Sequence, residues 1–186
     1  AIIRTGQQTP FYIFTTYVLT YATRTLGYSN TTILNLVMVQ ALLSMVVIPV
    51  FGHLSDRLGR RRMTIAGCLV MLVWPFVYFQ MLDSGSLLLV AIAIILALPM
   101  HDLQFGPQAA LIAEVFPSSR RYSGASLGYQ LASITAGGPA PIVALFLYRT
   151  YGTSTAVATY LAITAVISLI GLWFLPDRSG HELDAH

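Results

Sequence analysis

The feature that most constrains this chain is the spacing of its charged residues. Only seventeen of its 186 residues are acidic or basic. Six uncharged stretches of 18 to 31 residues lie between them, at 5–23, 25–55, 63–82, 84–101, 122–148 and 150–176. Roughly 20 apolar helical residues cross a hydrocarbon core of about 30 Å. The sequence therefore predicts an all-α integral membrane protein of about six spans, with no room for a catalytic domain outside the membrane.

Composition excludes several classes of function. Charged residues make up 9% of the chain, against about a quarter in soluble domains, and no basic stripe is available for nucleic acid. The single cysteine, Cys68, rules out an intrachain disulfide and a cysteine metal cluster. No hydrolase triad order, zinc-type spacing or phosphate-binding loop falls where chemistry could use it. We therefore expect no enzyme activity, cofactor, metal or nucleic-acid partner, and a lipid bilayer as the surroundings.

Turn-forming and charged segments set the boundaries of the six predicted spans. The spans run over about 5–23, 31–51, 63–82, 87–116, 123–147 and 155–175, and a cytoplasmic tail follows over 177–186. The fourth span approaches thirty residues and contains Pro99 and Pro107, so we expect a kinked helix lined by protein or water. The fifth span has a predicted break at 137–141, where glycine and proline cluster.

The arginine residues predict the orientation of the chain. Basic residues concentrate in cytoplasmic loops, and one side of the predicted topology holds eight of the ten arginines, leaving only Arg24 and Arg149 opposite. Both termini of this segment are therefore predicted to be cytoplasmic. Arg4 is one of the eight. No arginine lies mid-membrane in the six predicted spans, so none is expected there to pair with a substrate carboxylate. Spans one to three and four to six have opposite orientations, as two inverted three-helix repeats would.

Polar residues align along one face of the fourth span. His101, Gln104 and Gln108 share a stripe, with Asp102 beside it near the middle of the helix. An ionisable side chain at that depth is by default a functional candidate. Removal from water disfavours the charged form of a carboxylate, so Asp102 or His101 is predicted to carry a proton. The alternative is that the two pair with each other or with a neighbouring helix and only hold it in place.

Neutral polar stripes mark other spans. Hydrogen-bonding side chains on the faces of spans one and five, with a sparser set on span two, suit a small polar solute in a water-accessible cavity. Interhelical packing is the alternative. The candidates for this cavity are Gln8, Tyr12, Thr16, Gln40, Gln104, Gln108, Tyr129 and Gln130. The cavity is predicted to lie among spans one, two, four and five, with spans three and six on the lipid-facing outside.

Three sequence elements carry a resemblance to a known family. The turn after span two reads GHLSDRLGRRR (52–62) and resembles the signature loop of the major facilitator superfamily, Gly-x-x-x-Asp-Arg-x-Gly-Arg-Arg-Arg, which lies between the second and third helices of either half. Glu114 and Arg121 resemble a Glu-x6-Arg element after the fourth helix. LPDRSG (175–180) is similar to the terminal Pro-Glu-Thr motif, with Asp177 in place of Glu.

The stretch 105–141 is further similar to the metabolite:proton symporter family within that superfamily, whose members import proline and betaines, shikimate, 2-oxoglutarate and citrate. The resemblance implies spans seven to twelve of a twelve-span transporter of the bacterial inner membrane. That protein would couple proton flow to uptake of a small carboxylate or zwitterion, and the N-terminal six-helix half would be its partner. The alternatives are a proton-driven exporter of drugs or metabolites, and a stand-alone six-span channel or scaffold.

The charges matched by the resemblance predict a cytoplasmic gate. Asp56 and Glu114 could pair with Arg60, Arg61 and Arg121 when the two halves close on that side, and separate when they open. Partly exposed ion pairs contribute little each, so they can bias such an equilibrium without freezing it. The alternative is that the arginines only set topology.

Overall fold

The computed structural model describes residues 2–115 and 121–174, and these are helical apart from short turns, with no strand in either range. The helices are α1 (Ile2–Tyr12), α2 (Val18–Thr20), α3 (Asn30–Leu58), α4 (Arg60–Leu82), α5 (Leu87–Val115), α6 (Arg121–Ala132), α7 (Ala140–Tyr151) and α8 (Ser154–Trp173). The predicted cytoplasmic tail, 177–186, lies outside the described residues. The prediction of an all-α membrane bundle is confirmed.

Five helical segments in the described ranges are long and apolar enough to cross a membrane. They are Asn30–Leu58, Arg60–Leu82, Leu87–Ile112, Ser123–Tyr151 and Ser154–Trp173. The first predicted span is helical from residue 2 to residue 25 but is not among the five, because its many polar side chains lower its mean hydropathy. The count of six spans therefore stays a prediction.

Proline and two wide turns interrupt the first helical segment. Pro10 lies inside α1 and has no N–H to donate to the carbonyl of Gly6, four residues earlier. A π-helical turn follows at Ile13–Tyr17, and α2 separates it from a second at Tyr21–Thr25. Such turns contain one residue more than an α-helical turn and are frequent at functional sites.

The fifth predicted span is divided where its glycines and prolines cluster. After α6 comes a π-helical turn, Ser133–Gly137, and α7 begins at Ala140. Gly137 lies against the first segment, where an added Cβ atom would be 2.6 Å from the ring of Tyr12. Only a glycine allows this approach, so the predicted break at 137–141 also brings two spans together.

The second span continues beyond its predicted end at residue 51. Helix α3 reaches Leu58, and α4 begins at Arg60 after the single residue Gly59, whose φ of +96° favours glycine. Charge excludes a segment from hydrocarbon but does not end a helix. The GHLSDRLGRRR segment is therefore mostly helical, with one sharp turn.

Close contacts at small residues assemble the helices around α1 and α5. Helix α4 meets α5 at Gly67, where an added Cβ would lie 2.5 Å from the main-chain nitrogen of Gln104. Helix α1 meets α8 at Gly6, whose N–H donates to Ser168 Oγ at 2.7 Å. These contacts fix where α1 and α5 place their polar side chains.

Aromatic side chains and one carboxylate hold the other end of the bundle. Tyr21 packs edge-on against Phe79 and Tyr148, and its hydroxyl donates to Asp83 Oδ1 at 2.6 Å. Ser154 Oγ donates to the other oxygen of Asp83 at 2.5 Å. This turn residue therefore links the first segment, α4 and α8.

Candidate functional site

A cavity of about 290 Å³ lies among the polar faces of four spans. It is lined by Arg4, Gln7, Gln8, Phe11, Ser44, Ile48, His101, Asp102, Phe105 and Tyr129. These residues come from α1, α3, α5 and α6, which correspond to spans one, two, four and five. They are the spans from which the sequence analysis predicted a cavity.

Asp102 and His101 form a buried pair in the cavity. Each side chain is almost fully buried, and His101 Nδ1 lies 3.0 Å from Asp102 Oδ1. The other carboxylate oxygen accepts a hydrogen bond from the hydroxyl of Ser44 on α3. Each carboxylate oxygen of Asp102 therefore has a hydrogen-bonding partner within the protein.

Gln7 contacts the imidazole from the opposite side. Its side-chain Nε2 and its main-chain oxygen each lie 3.1 Å from His101 Nε2. The nitrogen therefore has both a donor and an acceptor within reach. The sequence analysis missed Gln7, since it took Gln8 as the polar member of the stripe, although two adjacent glutamines in a predicted span were a signal for either.

Arg4 lies in the same cavity and is only 3% exposed. Its guanidinium carbon is 3.3 Å from the centroid of the Tyr129 ring, and Nη2 donates to Gln7 Oε1 at 2.9 Å. The sequence analysis counted Arg4 among the arginines of the cytoplasmic side, whereas the structure places its side chain in the cavity wall. Helix α1 begins at Ile2, so Arg4 is inside a packed helix and not in a loop.

Two of the predicted solute contacts line the cavity as expected. Tyr129 provides the ring beneath Arg4, and Gln8 contributes to the wall while donating from Nε2 to Ser133 Oγ. Ser133 begins the π-helical turn of the fifth span. This hydrogen bond therefore joins the cavity wall to the π-helical turn of the fifth span.

A comparison with known protein families gives a match over residues 5–184 to a family model described as Major Facilitator Superfamily. The chain belongs to the major facilitator superfamily. This confirms the resemblance carried by the signature loop, and with the membrane-length helices it makes the chain a multi-pass membrane protein of a transport family, not an enzyme.

Several curated members of the superfamily are similar to this chain. It is 39% identical to the inner membrane metabolite transport protein YhjE of Escherichia coli, over 94% of the chain and 40% of that protein. It is 36% identical to the shikimate transporter of E. coli, over 89% of the chain and 38% of the relative. A citrate-proton symporter of Klebsiella pneumoniae is 28% identical, over 94% and 40%. The chain thus spans about two fifths of these relatives, and no solved structure matches it significantly.

Gln104, which was also predicted to contact the solute, lies outside the cavity lining. Gln104 donates from Nε2 to the carbonyl of Gly6 at 2.9 Å, and its Oε1 lies 3.3 Å from Cys68 Sγ. Pro10 leaves that carbonyl without its helical donor, so Gln104 supplies the missing hydrogen bond. Gln104 therefore joins α1 to α5 and does not line the cavity.

The remaining predicted cavity residues are also placed away from the cavity lining. Gln108 is buried, and its Nε2 lies 3.5 Å from the carbonyl of Ile3. Gln40 is fully buried in α3, with neither amide atom hydrogen-bonded to a described residue. The structure does not bring three others to the cavity: Tyr12 is half-buried against Gly137, and Thr16 and Gln130 are exposed.

The facilitator signature loop holds part of the predicted gate. Arg60 Nη2 lies 2.8 Å from Asp56 Oδ1, in a partly exposed pair that joins the end of α3 to the start of α4 across Gly59. Arg61 donates from Nη2 to the carbonyl of Leu172, near the end of α8, at 3.2 Å. The side chains of the other two predicted members, Glu114 and Arg121, lie outside the described residues, so the complete gate stays a prediction.

Proposed function

We propose that this chain is the C-terminal six-helix half of a proton-coupled symporter, which takes up a small polar carboxylate or zwitterion by alternating access. The chain would lie in a bacterial inner membrane with both its termini cytoplasmic. Its N-terminal partner would be the other six-helix half. Support comes from family membership, from the length of the relatives, and from the names of two of them, a citrate-proton symporter and a shikimate transporter.

The observation that carries the proposal is the buried pair of His101 and Asp102 in the cavity wall. Gln7 presents its amide oxygen to Arg4, so its amide N–H₂ points towards His101. A neutral His101 then accepts at Nε2 and donates from Nδ1 to Asp102. The tautomer of the imidazole thus follows from the hydrogen bonds around it.

Protonation of His101 also finds a partner already in place. A proton added at Nε2 has the main-chain carbonyl of Gln7 as acceptor, 3.1 Å away. The imidazolium would remain paired through Nδ1 with the Asp102 carboxylate. The imidazolium would therefore keep an acceptor at each ring nitrogen, while the Gln7 amide N–H that had donated to Nε2 would lose its acceptor and have to turn away.

Alternating access then requires the cavity to be exposed to each side of the membrane in turn. We propose that the cytoplasmic gate contains Asp56, Arg60 and Arg61 together with Glu114 and Arg121. The Asp56–Arg60 pair is partly exposed, so it contributes about 1 kcal/mol or less. That is small enough for the gate to open on each transport cycle.

The test uses the full-length protein in proteoliposomes with an inward proton gradient and radiolabelled shikimate, citrate, proline and glycine betaine as probes. The wild type should accumulate at least one probe, and collapse of the gradient should abolish accumulation. Asp102→Asn and His101→Gln should each lose accumulation at least tenfold but retain exchange of labelled for unlabelled probe, since exchange requires no net proton movement.

Asp83→Asn is the matched control, since it changes a carboxylate to an amide away from the cavity; its oxygen can accept from one of the Tyr21 and Ser154 hydroxyls and its N–H₂ can donate to the other. This variant should accumulate the probe as the wild type does. The proposal is wrong if accumulation persists without a gradient, if no probe is accumulated, or if both cavity variants accumulate normally.

A further inference from the structure

Arg4 is a buried cation, and two of its three side-chain nitrogens have no hydrogen-bond acceptor among the described residues. An arginine side chain has five N–H donors, and only Nη2 of Arg4 is bonded, to Gln7. Nε and Nη1 are buried and have no partner among the described residues, and no described carboxylate pairs with Arg4. Buried N–H donors of a guanidinium that have no acceptor are unfavourable by several kcal/mol, so this arrangement favours the binding of an acceptor group from elsewhere.

We propose that Arg4 binds the carboxylate group of the transported solute. This proposal rests on the proposed function, because it assumes that the cavity binds the transported solute. It adds that Arg4 contacts the negatively charged group of that solute. A guanidinium binds a carboxylate through charge-assisted hydrogen bonds, two of which can form side by side.

The position of Arg4 is fixed from two sides. The ring of Tyr129 lies 3.3 Å from the guanidinium carbon, which holds the planar group by a cation–π contact, and Gln7 Oε1 holds Nη2. A binding group held in this way loses little conformational entropy when the solute arrives.

The charges around the cavity favour a solute with one negative charge for each proton. With Arg4 cationic, Asp102 anionic and His101 neutral, the formal charges of the described lining residues cancel. A proton taken up by the pair leaves one positive charge in the cavity, which a carboxylate neutralises. Gln7 lies between the two, bonded to Arg4 through Oε1 and to His101 through Nε2. Proton and carboxylate binding should therefore favour one another, which is a condition for coupled transport.

The experiment measures ligand binding to the purified full-length protein by thermal stabilisation. The probes are shikimate, citrate, proline and pipecolate, each compared with its methyl ester, which lacks the carboxylate charge. At least one acid should stabilise the wild type while its ester has no effect. Arg4→Gln should weaken binding of that acid at least tenfold. Arg4→Lys, which keeps the charge but loses the planar group, should weaken it by a smaller factor.

Arg24→Gln is the matched control, because Arg24 is an exposed arginine at the other end of the same helical segment. It should bind the acid within twofold of the wild type. Tyr129→Leu gives a second measurement, since it removes the ring beneath Arg4 without changing charge, and it should also weaken binding. The proposal is overturned if no acid stabilises the wild type, if an ester binds as well as its acid, or if Arg4→Gln and Arg4→Lys both bind like the wild type.

The two proposals can fail separately. If acid binding depends on Arg4 but accumulation is independent of the proton gradient, the proposed coupling is wrong and the assignment of Arg4 stands. If accumulation is proton-driven but binding does not depend on Arg4, the reverse holds.

Discussion

Replacement of Gly67 by alanine tests the close packing of α4 against α5, the helix that carries His101 and Asp102. The new Cβ would lie 2.5 Å from the main-chain nitrogen of Gln104, whereas ordinary contacts begin near 3.4 Å. Helices α4 and α5 would therefore have to separate locally by roughly 0.9 Å, the difference between these distances. The atoms in the way include the backbone of α5, which cannot rotate aside as a flexible side chain would.

The expected loss of stability follows from two opposed effects. Overpacking of this severity destabilises a core by about 3 kcal/mol, and the change from glycine to alanine stabilises a helix by about 1 kcal/mol. The net loss of about 2 kcal/mol corresponds to roughly a thirtyfold change in the ratio of folded to unfolded protein. Displacement of Gln104 would also move His101, one helical turn earlier, so proton-driven uptake should fall as well.

Thermal and denaturant unfolding of the full-length protein in detergent would measure this loss. Gly52→Ala is the control, because its added Cβ would lie 3.9 Å from the nearest described atom, the carbonyl oxygen of Gly106. That variant should be as stable as the wild type or more stable by up to about 1 kcal/mol. Equal stability of the Gly67 and Gly52 variants would refute the packing argument.

Two further substitutions test the ends of the bundle. Asp83→Ala removes the acceptor for the hydroxyls of Tyr21 and Ser154, so the free energy of unfolding should fall by roughly 2 to 3 kcal/mol. Thermal unfolding in detergent would measure this loss. An unchanged melting temperature would contradict the role of that turn. Asp56→Asn weakens an exposed pair with Arg60, so stability should change by less than about 1 kcal/mol while proton-driven uptake falls severalfold, and normal uptake would argue against the gate.

The sequence was sufficient to predict the helical bundle because charge spacing and glycine–proline clusters act locally. The long helix α5 and the break in the fifth span both follow from such signals. The spans that line the cavity were also predictable, since polar side chains repeat along one face of each helix. The helical extension of α3 to Leu58 was not, because the same residues that forbid hydrocarbon are compatible with a helix in water.

The cavity itself could be predicted only in part. Asp102 and His101 were identified by the high energy of ionisable groups inside a membrane. Arg4 was not, because an arginine at the start of a span is indistinguishable in sequence from one that sets topology. Its burial depends on Tyr129, which is 125 positions away in the chain. Gln104 was assigned to the correct helix face, but its acceptor exists only because Pro10 leaves a carbonyl free on another helix.

The wide turns in the first and fifth spans bear on how these helices could move. In each, a main-chain N–H bonds to the carbonyl five residues back, as from Val18 to Ile13 and from Gly138 to Ser133. An extra residue of this kind can pass to the next turn by exchanging one hydrogen bond for another, and each step turns the intervening side chains by about 100° around the axis. A helix with such an extra residue can change which side chains face the cavity while its ends keep their contacts. Short segments of this bundle can therefore rotate, in addition to the tilting of whole helices.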